Sequence, residues 1–135
     1  PLIIERGCFS KVVGKASSDR SQNEIEAFVR EVVEQRFNSD FQRKPTLLSF
    51  EEEQTRTTEL NELASKSMAQ RMLVNSVKIN GNAVTVDADR LISVGQIRSA
   101  FIFPFTLMLQ STARTEVNPY GLLLVKVSLP KPSGG

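Results

Sequence analysis

The chain has 135 residues, a hydrophobic fraction of 40% and a formal net charge of +2 at pH 7. This length favours one domain that buries a core without disulfides or metal ions. The sequence contains no histidine, so the commonest metal ligand and the commonest general base are both missing, which argues against zinc sites and ordinary hydrolase chemistry. The single cysteine, Cys8, excludes an internal disulfide and leaves the redox compartment open.

Charged residues are distributed unevenly along the chain. Residues 19–62 carry eleven acidic and six basic side chains, whereas residues 63–135 carry three acidic and eight basic ones. Such asymmetry can steer a partner or favour contact between neighbouring copies. No Arg-rich run marks a nucleic-acid groove, so we expect no direct binding to nucleic acid.

The two ends of the chain differ in composition from its middle. Residues 1–20 predict an extended N-terminal segment, and because the sequence begins with Pro1 rather than Met, we expect this segment to follow a removed membrane anchor. The apolar run at 100–109 is about half of the ~20 residues that a membrane helix needs. Residues 21–130 are predicted to form a single domain, and residues 131–135, rich in Pro, Gly and Ser, a flexible tail.

A helix is predicted from residue 21 to about Phe37. Ser21 and Glu24 have the Ser-x-x-Glu spacing of a capping box, in which the two side chains satisfy unpaired amides of the first turn. Apolar residues then recur at three- and four-residue steps, which places them on one face. These residues are Ile25, Phe28, Val29, Val32, Val33 and Phe37.

A second helix is predicted after a loop at 38–45. Ser49 and Glu52 repeat the capping-box spacing, and the three successive acids at 51–53 suit the positive end of a helix dipole. We expect the first half of this helix to be exposed, because its apolar stripe begins late. The stripe consists of Leu60, Leu63, Ala64 and Met68.

From Arg71 onward the apolar period becomes two, which predicts strands. Asn80-Gly81 is the favoured dipeptide of a type I′ hairpin turn. The apolar positions expected on the buried face of this hairpin are Leu73, Val77, Ile79, Val84, Val86, Ala88, Ile92 and Val94.

Two more strands are predicted after a turn at Gly95-Gln96. The first is a long strand through Phe101, Phe103 and Phe105, where Pro104 implies an edge position or a bulge because proline cannot donate to a ladder. Asn118-Pro119-Tyr120-Gly121 then predicts a chain reversal, since proline fixes a negative φ and glycine accepts a positive one. The last strand, 122–129, is apolar enough for a sheet centre or a subunit contact.

The predicted order is two helices followed by a four-stranded antiparallel meander. Helices that precede a curled antiparallel sheet describe an α+β fold. We therefore expect a half-cone, with the first helix lying against the concave face of the sheet.

Two groups of residues admit more than one chemical interpretation. Asp87 and Asp89 lie on the same face of a strand, where a carboxylate pair could bind metal or transfer protons, but a solvated polar face is the favoured interpretation. The stripe of Phe101, Phe103 and Phe105 could line a ligand cavity, but packing against the first helix is favoured.

Cationic and thiol groups also admit more than one interpretation. Arg6 and Gly7 beside Cys8 could lower its thiol pKa, but the sequence offers no base and no resolving cysteine, so an unreactive thiol is favoured. Several cations of the basic half could form an anion-binding patch, although scattered solvation is favoured. They are Arg71, Lys78, Arg90, Arg98 and Arg114.

The element order, with the Asn-Pro-x-Gly quartet before the final strand, resembles the periplasmic domain of the VirB-eight/TraE-like inner-membrane components of type IV secretion and conjugation machines. The resemblance covers about residues 21–129 and includes the apolar strand after the quartet. It implies an NTF2-like (cystatin-like) cone in a single-pass inner-membrane protein whose periplasmic part is this fragment.

This resemblance also implies a function. It predicts a non-enzymatic scaffold subunit with no cofactor and no metal site, which associates with itself as a weak dimer or higher oligomer, with other secretion-channel subunits, and with the inner membrane through a removed N-terminal helix. Asn118, Pro119, Tyr120 and Gly121 would shape the loop linked to assembly contacts. The alternative from another class is a small NTF2-like isomerase or ligand-binding protein, which requires a Phe-lined cavity with an inward carboxylate.

Overall fold

The computed structural model describes residues 20–130 and shows an α+β fold, in which two helices pack on an antiparallel sheet of five strands. The predicted class, with two helices before an antiparallel sheet, is confirmed, but the sheet has five strands rather than four because the predicted long strand is interrupted at Phe103 and Pro104. The interpretations placed on residues 1–19, including Cys8, and on the tail at 131–135 lie outside the described residues. The elements are α1 (Gln22–Phe37), α2 (Phe50–Ser65), β1 (Met68–Asn80), β2 (Ala83–Val94), β3 (Ile97–Ile102), β4 (Phe105–Ser111) and β5 (Leu122–Ser128).

Helix α1 begins and packs as its sequence predicts. The Ser21 side chain accepts from the Glu24 amide, and the Glu24 carboxylate accepts from the Ser21 amide, which completes the capping box. All six residues of the predicted stripe are buried against the sheet. Neither described helix has the length and apolar character needed to cross a membrane.

Helix α2 departs from its prediction at both ends. The Ser49 side chain accepts from the Glu52 amide at 3.2 Å, but the Glu52 carboxylate is bonded to Arg36 at 2.7 Å and does not return to the cap. Glu52 is the one buried residue of α2. The predicted stripe is only partly buried, because α1 already covers the sheet: Leu60 and Leu63 are half-buried, Ala64 is exposed, and Met68 belongs to β1.

The β1–β2 hairpin forms, but its loop is shifted by one residue. Asn80 pairs with Ala83, so the two loop residues are Gly81 and Asn82 rather than Asn80 and Gly81. Gly81 has φ of +64° and Asn82 keeps a negative φ. A glycine at the first loop position is typical of a type II′ turn, which suits the twist of the flanking strands as well as type I′ does.

A bulge in β1 changes which residues face the core. The register shifts between Val74 and Ser76, and one unpaired residue reverses the alternation of the strand. Before the bulge the even-numbered Met72 faces the core, whereas after it the odd-numbered Val77 and Ile79 do. The expectation that Leu73 would be buried was therefore wrong, and its side chain is exposed.

Strands β3 and β4 pair with β2 in one uninterrupted register, with Asp89 opposite Ile102 and Val86 opposite Phe105. The Phe103 amide donates to the Ala88 carbonyl at 2.9 Å, so the backbone of the next residue, Pro104, faces away from β2. The missing N–H of Pro104 thus removes no bond to β2, as the predicted edge position requires.

Strand β5 ends the sheet, whose order is β1-β2-β4-β5 with β3 alongside β2. It is not a central strand, although a short parallel bridge between Leu48 and Leu124 covers its outer edge. One core joins the inner faces of α1 and the sheet. Its largest fully buried side chains are Phe28, Phe105, Ile25, Leu47, Leu107, Leu122 and Leu124.

Candidate interaction site

The Asn118–Gly121 turn connects β4 to β5, as its sequence predicts. The Gly121 amide donates to the Asn118 carbonyl at 3.2 Å, and Gly121 has φ of +65°. The Gly121 carbonyl accepts from the Thr112 amide at 2.9 Å, which closes the base of the connection. The turn is therefore a compact unit with its own hydrogen bonds.

Asn118 is buried and supports the turn from inside. Its Oδ1 accepts from the Gly121 amide at 3.2 Å, and its Nδ2 donates to the Leu122 carbonyl at 2.8 Å. Its own amide donates to Thr115 Oγ1 at 3.1 Å. An asparagine that bonds the backbone on both sides of a turn mimics a further backbone turn, so Asn118 shapes the loop and offers little to a partner.

Arg20 ties the turn to the start of α1. Its Nε donates to the Tyr120 carbonyl at 2.9 Å, and its Nη2 donates to the Gly121 carbonyl at 2.9 Å. A Cβ at Gly121 would meet Arg20 Nη2, and would also lie 2.9 Å from the Thr112 carbonyl oxygen. The position thus demands glycine for two reasons, a positive φ and the close approach of neighbouring groups.

Tyr120 joins the turn to the middle of α1. Its ring packs edge-on against Phe28 with centroids 5.6 Å apart, and its hydroxyl donates to Glu31 Oε1 at 2.8 Å. Burial, followed by the bond to Glu31, raises the pKa of Tyr120 above its ordinary value. The aromatic residue of the quartet is thus held by the domain itself.

An ion pair adds a third attachment. Arg114 Nη1 bonds Glu24 Oε2 at 2.9 Å and the Pro119 carbonyl oxygen at 2.9 Å. The hydrogen bond from Arg114 lowers the pKa of Glu24, with a further contribution from the Ser21 amide, although burial opposes the shift. One carboxylate thus serves both the helix cap and the turn.

Some residues of the quartet fix the conformation of the loop, and others are exposed on its surface. Asn118 and Gly121 are buried and Tyr120 is half-buried, whereas Pro119 is exposed. Val117, just before the quartet, exposes two thirds of its side chain, 66%. Val117 and Pro119 are therefore part of the accessible surface of the connection, together with the exposed residues 112–116.

The residues that hold the turn were missed by the sequence analysis. Arg20, Glu31 and Arg114 carry no motif that points to the quartet, and the Arg20 and Glu31 contacts span about ninety to a hundred positions along the chain. The sequence identified Glu24 only as a residue of the α1 capping box and not as a contact of the turn. Local spacing cannot reveal such contacts, because they depend on how α1 lies against the β4–β5 connection.

A buried ion pair lies at the other end of α1. Arg36 is 2% exposed and bonds Glu52 at 2.7 Å, and it forms two bonds to Glu59 at 2.9 and 3.1 Å. Burial alone would lower the pKa of Arg36, but the bonds to Glu59 and Glu52 outweigh it and raise that pKa. One cation thus bonds both carboxylates.

A cavity of about 340 Å³ adjoins this ion pair and is lined also by Phe37, Arg90 and Phe103. The expectation that the stripe of Phe101, Phe103 and Phe105 packs against the first helix was partly wrong. Phe28 and Val32 are fully buried as expected, but Phe101 is 52% exposed because its strand runs past the end of the helix layer, and Phe105 takes the core position. The phenylalanine stripe therefore changes gradually from core to surface.

The other groups singled out from the sequence behave as surface or structural residues. Asp87 is exposed and accepts from Ser76 at 3.0 Å, and Asp89 is half-buried on the same face. Within residues 20–130, no cluster of three or more acidic, Cys or His side chains is placed to hold a metal ion. Arg71 pairs with Asp40 after the end of α1, whereas Arg114 pairs with Glu24 near its start, so the basic residues do not form one patch.

Comparisons with protein-family models, with curated proteins and with solved structures returned no match to this chain.

Proposed function

We propose that this chain is the NTF2-like periplasmic domain of a VirB-eight/TraE-like inner-membrane component, and that it acts as a non-enzymatic assembly subunit of a type IV secretion or conjugation machine. In this proposal it binds other channel subunits and further copies of itself. It acts through its surfaces, and an N-terminal membrane helix, as the resemblance implies, holds it at the inner membrane.

The observation that carries the proposal is the construction of the Asn118–Gly121 turn. The quartet connects the last two strands, and its polar groups are committed to α1 and to the turn itself. Such bracing holds the exposed residues Val117 and Pro119 in one conformation. A preorganised loop loses little conformational entropy when a partner binds it.

Deletion of the gene in its host is the direct test of this function. We expect loss of conjugative transfer or of substrate secretion, with recovery when the wild-type chain is supplied. Transfer and secretion that continue at the wild-type level after deletion would refute the assignment.

Photo-crosslinking tests the loop as a contact surface. A benzoyl-phenylalanine at Val117 should form adducts with other envelope subunits, since this side chain is exposed beside the braced turn. The matched control is the same group at Thr58, an exposed position of α2. Adducts of equal yield at both positions would show that the loop has no special role.

The cavity beside Arg36 favours a second candidate, a ligand-binding protein. Its volume of about 340 Å³ lies within the range of small-molecule sites, and its lining is mostly apolar with a few charged groups. Arg90 is held by Gln70 Oε1 at 2.7 Å and by the Phe103 ring at 5.3 Å. Because Glu52 and Glu59 are paired with Arg36, the cavity suits binding of a carboxylate better than acid–base catalysis. Calorimetry with aliphatic and aromatic carboxylates, compared between wild type and Arg90→Gln, tests this candidate.

A further inference from the structure

The sheet has three outer strand edges, and the protein covers part of two of them with its own groups. At β1, the Gln70 carbonyl accepts from the Ser39 amide, and the Met72 amide donates to Asn38 Oδ1, each at 2.9 Å. At β5, the backbone of Leu124 bonds to Leu47 and Ser49 on both sides, also at 2.9 Å. The covered stretches at Gln70–Met72 and at Leu124 cannot pair with another chain.

The edge of β3 is different. Antiparallel pairing alternates, so the bond from Phe103 to Ala88 places the amides and carbonyls of Arg98, Ala100 and Ile102 on the side away from β2. Within residues 20–130, no hydrogen bond reaches these outward groups. These outward N–H and C=O groups form a row of hydrogen-bond donors and acceptors along the edge of β3.

The side chains of β3 are also unusual for a bare edge. All six residues of the strand are exposed, and Ile97, Phe101 and Ile102 have 70%, 52% and 87% of their surface accessible. Natural edge strands are normally protected by charges, prolines or bulges. Here Arg98 is the one charge in the strand, and the first proline, Pro104, follows its end.

We propose that β3 pairs antiparallel with β3 of a second copy of this chain, about a two-fold axis beside Ala100. In this register Ala100 bonds to Ala100 of the second copy, and Arg98 bonds to Ile102 on either side of the axis. Every outward backbone group of β3 then has a partner. The two sheets become one continuous sheet, which is a form of strand addition between identical surfaces.

Side chains on the exposed sheet face complement each other in the same register. Asp89 lies beside Ile102 within one chain, so Arg98 of the second copy would lie two strands from Asp89, roughly 10 Å between Cα atoms. An arginine side chain can cross that distance over the apolar surface of Ile102 and pair with the carboxylate. The two Arg98 residues lie on opposite sides of the axis, which avoids a like-charge contact.

This inference deepens the proposed function, because it names the surface used for self-association. It places that surface on β3, away from the Asn118–Gly121 turn at the other end of the β2–β4 pair. The turn then remains available for other subunits while two copies are joined through their sheets.

Substitution of Ala100 by proline tests the backbone pairing. Proline removes the outward N–H of this residue while leaving every bond between β3 and β2 intact. Ala100→Val, which keeps the N–H, is the matched control. By sedimentation equilibrium we expect wild type and Ala100→Val to form dimers, and Ala100→Pro to associate at least tenfold more weakly. Association of Ala100→Pro equal to that of wild type would overturn the proposal.

An exchange of charges between Arg98 and Asp89 tests the register of the β3–β3 pairing. This test does not depend on whether the proline variant folds. Arg98→Asp should weaken the dimer, and the double variant Arg98→Asp, Asp89→Arg should restore at least part of the association, since the pair would form again with reversed signs. The paired residues lie in different chains, so the rescue reports contact between copies. Absence of rescue in two folded variants would exclude this register.

Amide exchange measured at low and high protein concentration separates a second copy from other occupants. The Arg98, Ala100 and Ile102 amides should become protected as concentration rises. Protection that is independent of concentration would mean that the edge is covered within one chain, for example by residues 131–135, and would overturn the proposal. If these tests fail but deletion of the gene still abolishes transfer, the assembly function is supported and only this interface is excluded.

Discussion

The Tyr120 hydroxyl donates to the Glu31 carboxylate at 2.8 Å across 89 positions of the chain. Tyr120 belongs to the β4–β5 turn, and Glu31 lies in the third turn of α1. The contact therefore joins the last connection of the sheet to the first helix, and it is reinforced by the packing of the Tyr120 ring on Phe28.

We predict that Tyr120→Phe lowers the free energy of unfolding by about 1 kcal/mol or less near neutral pH, because one partly exposed hydrogen bond is lost while the ring packing stays. Unfolding in urea measures this change. A loss as large as the roughly 3–5 kcal/mol typical of a deleted core aromatic would mean that the hydroxyl has a larger role than its exposure indicates.

Alkaline pH should weaken the fold through the same residue. The pKa of Tyr120 is raised above 10.0 in the folded protein, so the folded state holds this proton more tightly than the unfolded state does. The resulting stability is complete below pH 10.0 and is lost as the pH rises through the folded pKa. Because Tyr120 is the single tyrosine and tryptophan is absent, tyrosinate absorbance follows its titration directly. Tyr120→Phe should lose stability less steeply in this range.

Glycine-to-alanine substitutions should separate backbone strain from crowding. Gly81→Ala and Gly121→Ala both force a positive φ on alanine, which costs about 1–2 kcal/mol. A Cβ at Gly81 meets open space, whereas a Cβ at Gly121 meets Arg20 and Thr112, so Gly121→Ala should cost about 1–3 kcal/mol more. Thermal and urea unfolding of the two variants provide the comparison. Equal losses would show that the contacts around Gly121 relax freely.

Acid should weaken the attachment of the turn to α1 through Glu24. The hydrogen bond from Arg114 lowers the folded pKa of Glu24 below 4.5, so the stability that it contributes is present above pH 4.5 and is lost as the pH falls through the folded pKa. Glu24→Gln retains a capping-box side chain but removes the charge. We expect a loss of about 0.2–1 kcal/mol at neutral pH, as for other exposed ion pairs, and a smaller further loss in acid. An acid profile identical to that of wild type would contradict this assignment.

The buried cation should matter more than the exposed ion pair. Arg36→Ala leaves the Glu52 carboxylate, which is 8% exposed, without its cation and should cost about 3–5 kcal/mol. Glu59→Gln is the control, because the Glu59 side chain is 45% exposed and Arg36 keeps Glu52. Urea unfolding should show the larger loss for Arg36→Ala. Similar losses in both variants would indicate that water reaches Glu52 after the substitution.

Several elements could be predicted because the interactions that form them are local. The cap of α1 depends on Ser21 and Glu24, three residues apart, and the turn at Gly95 depends on the positive φ of one residue. The apolar stripe of α1 also follows from spacing alone. The class of the fold and the order of its strands follow from such patterns, since two amphipathic elements of different period must bury their faces against each other.

What the sequence by itself determined is thus where the chain turns, which segments are helical or extended, and which face of α1 is apolar. Only the tertiary structure decided that a bulge turns Leu73 outward, that Glu52 pairs with Arg36, and that Tyr120 is held by Glu31. It also left the edge of β3 bare. The physical reason is that these outcomes depend on groups far apart in the chain, whose meeting is set by how α1 and the strands pack and not by the spacing of neighbouring residues.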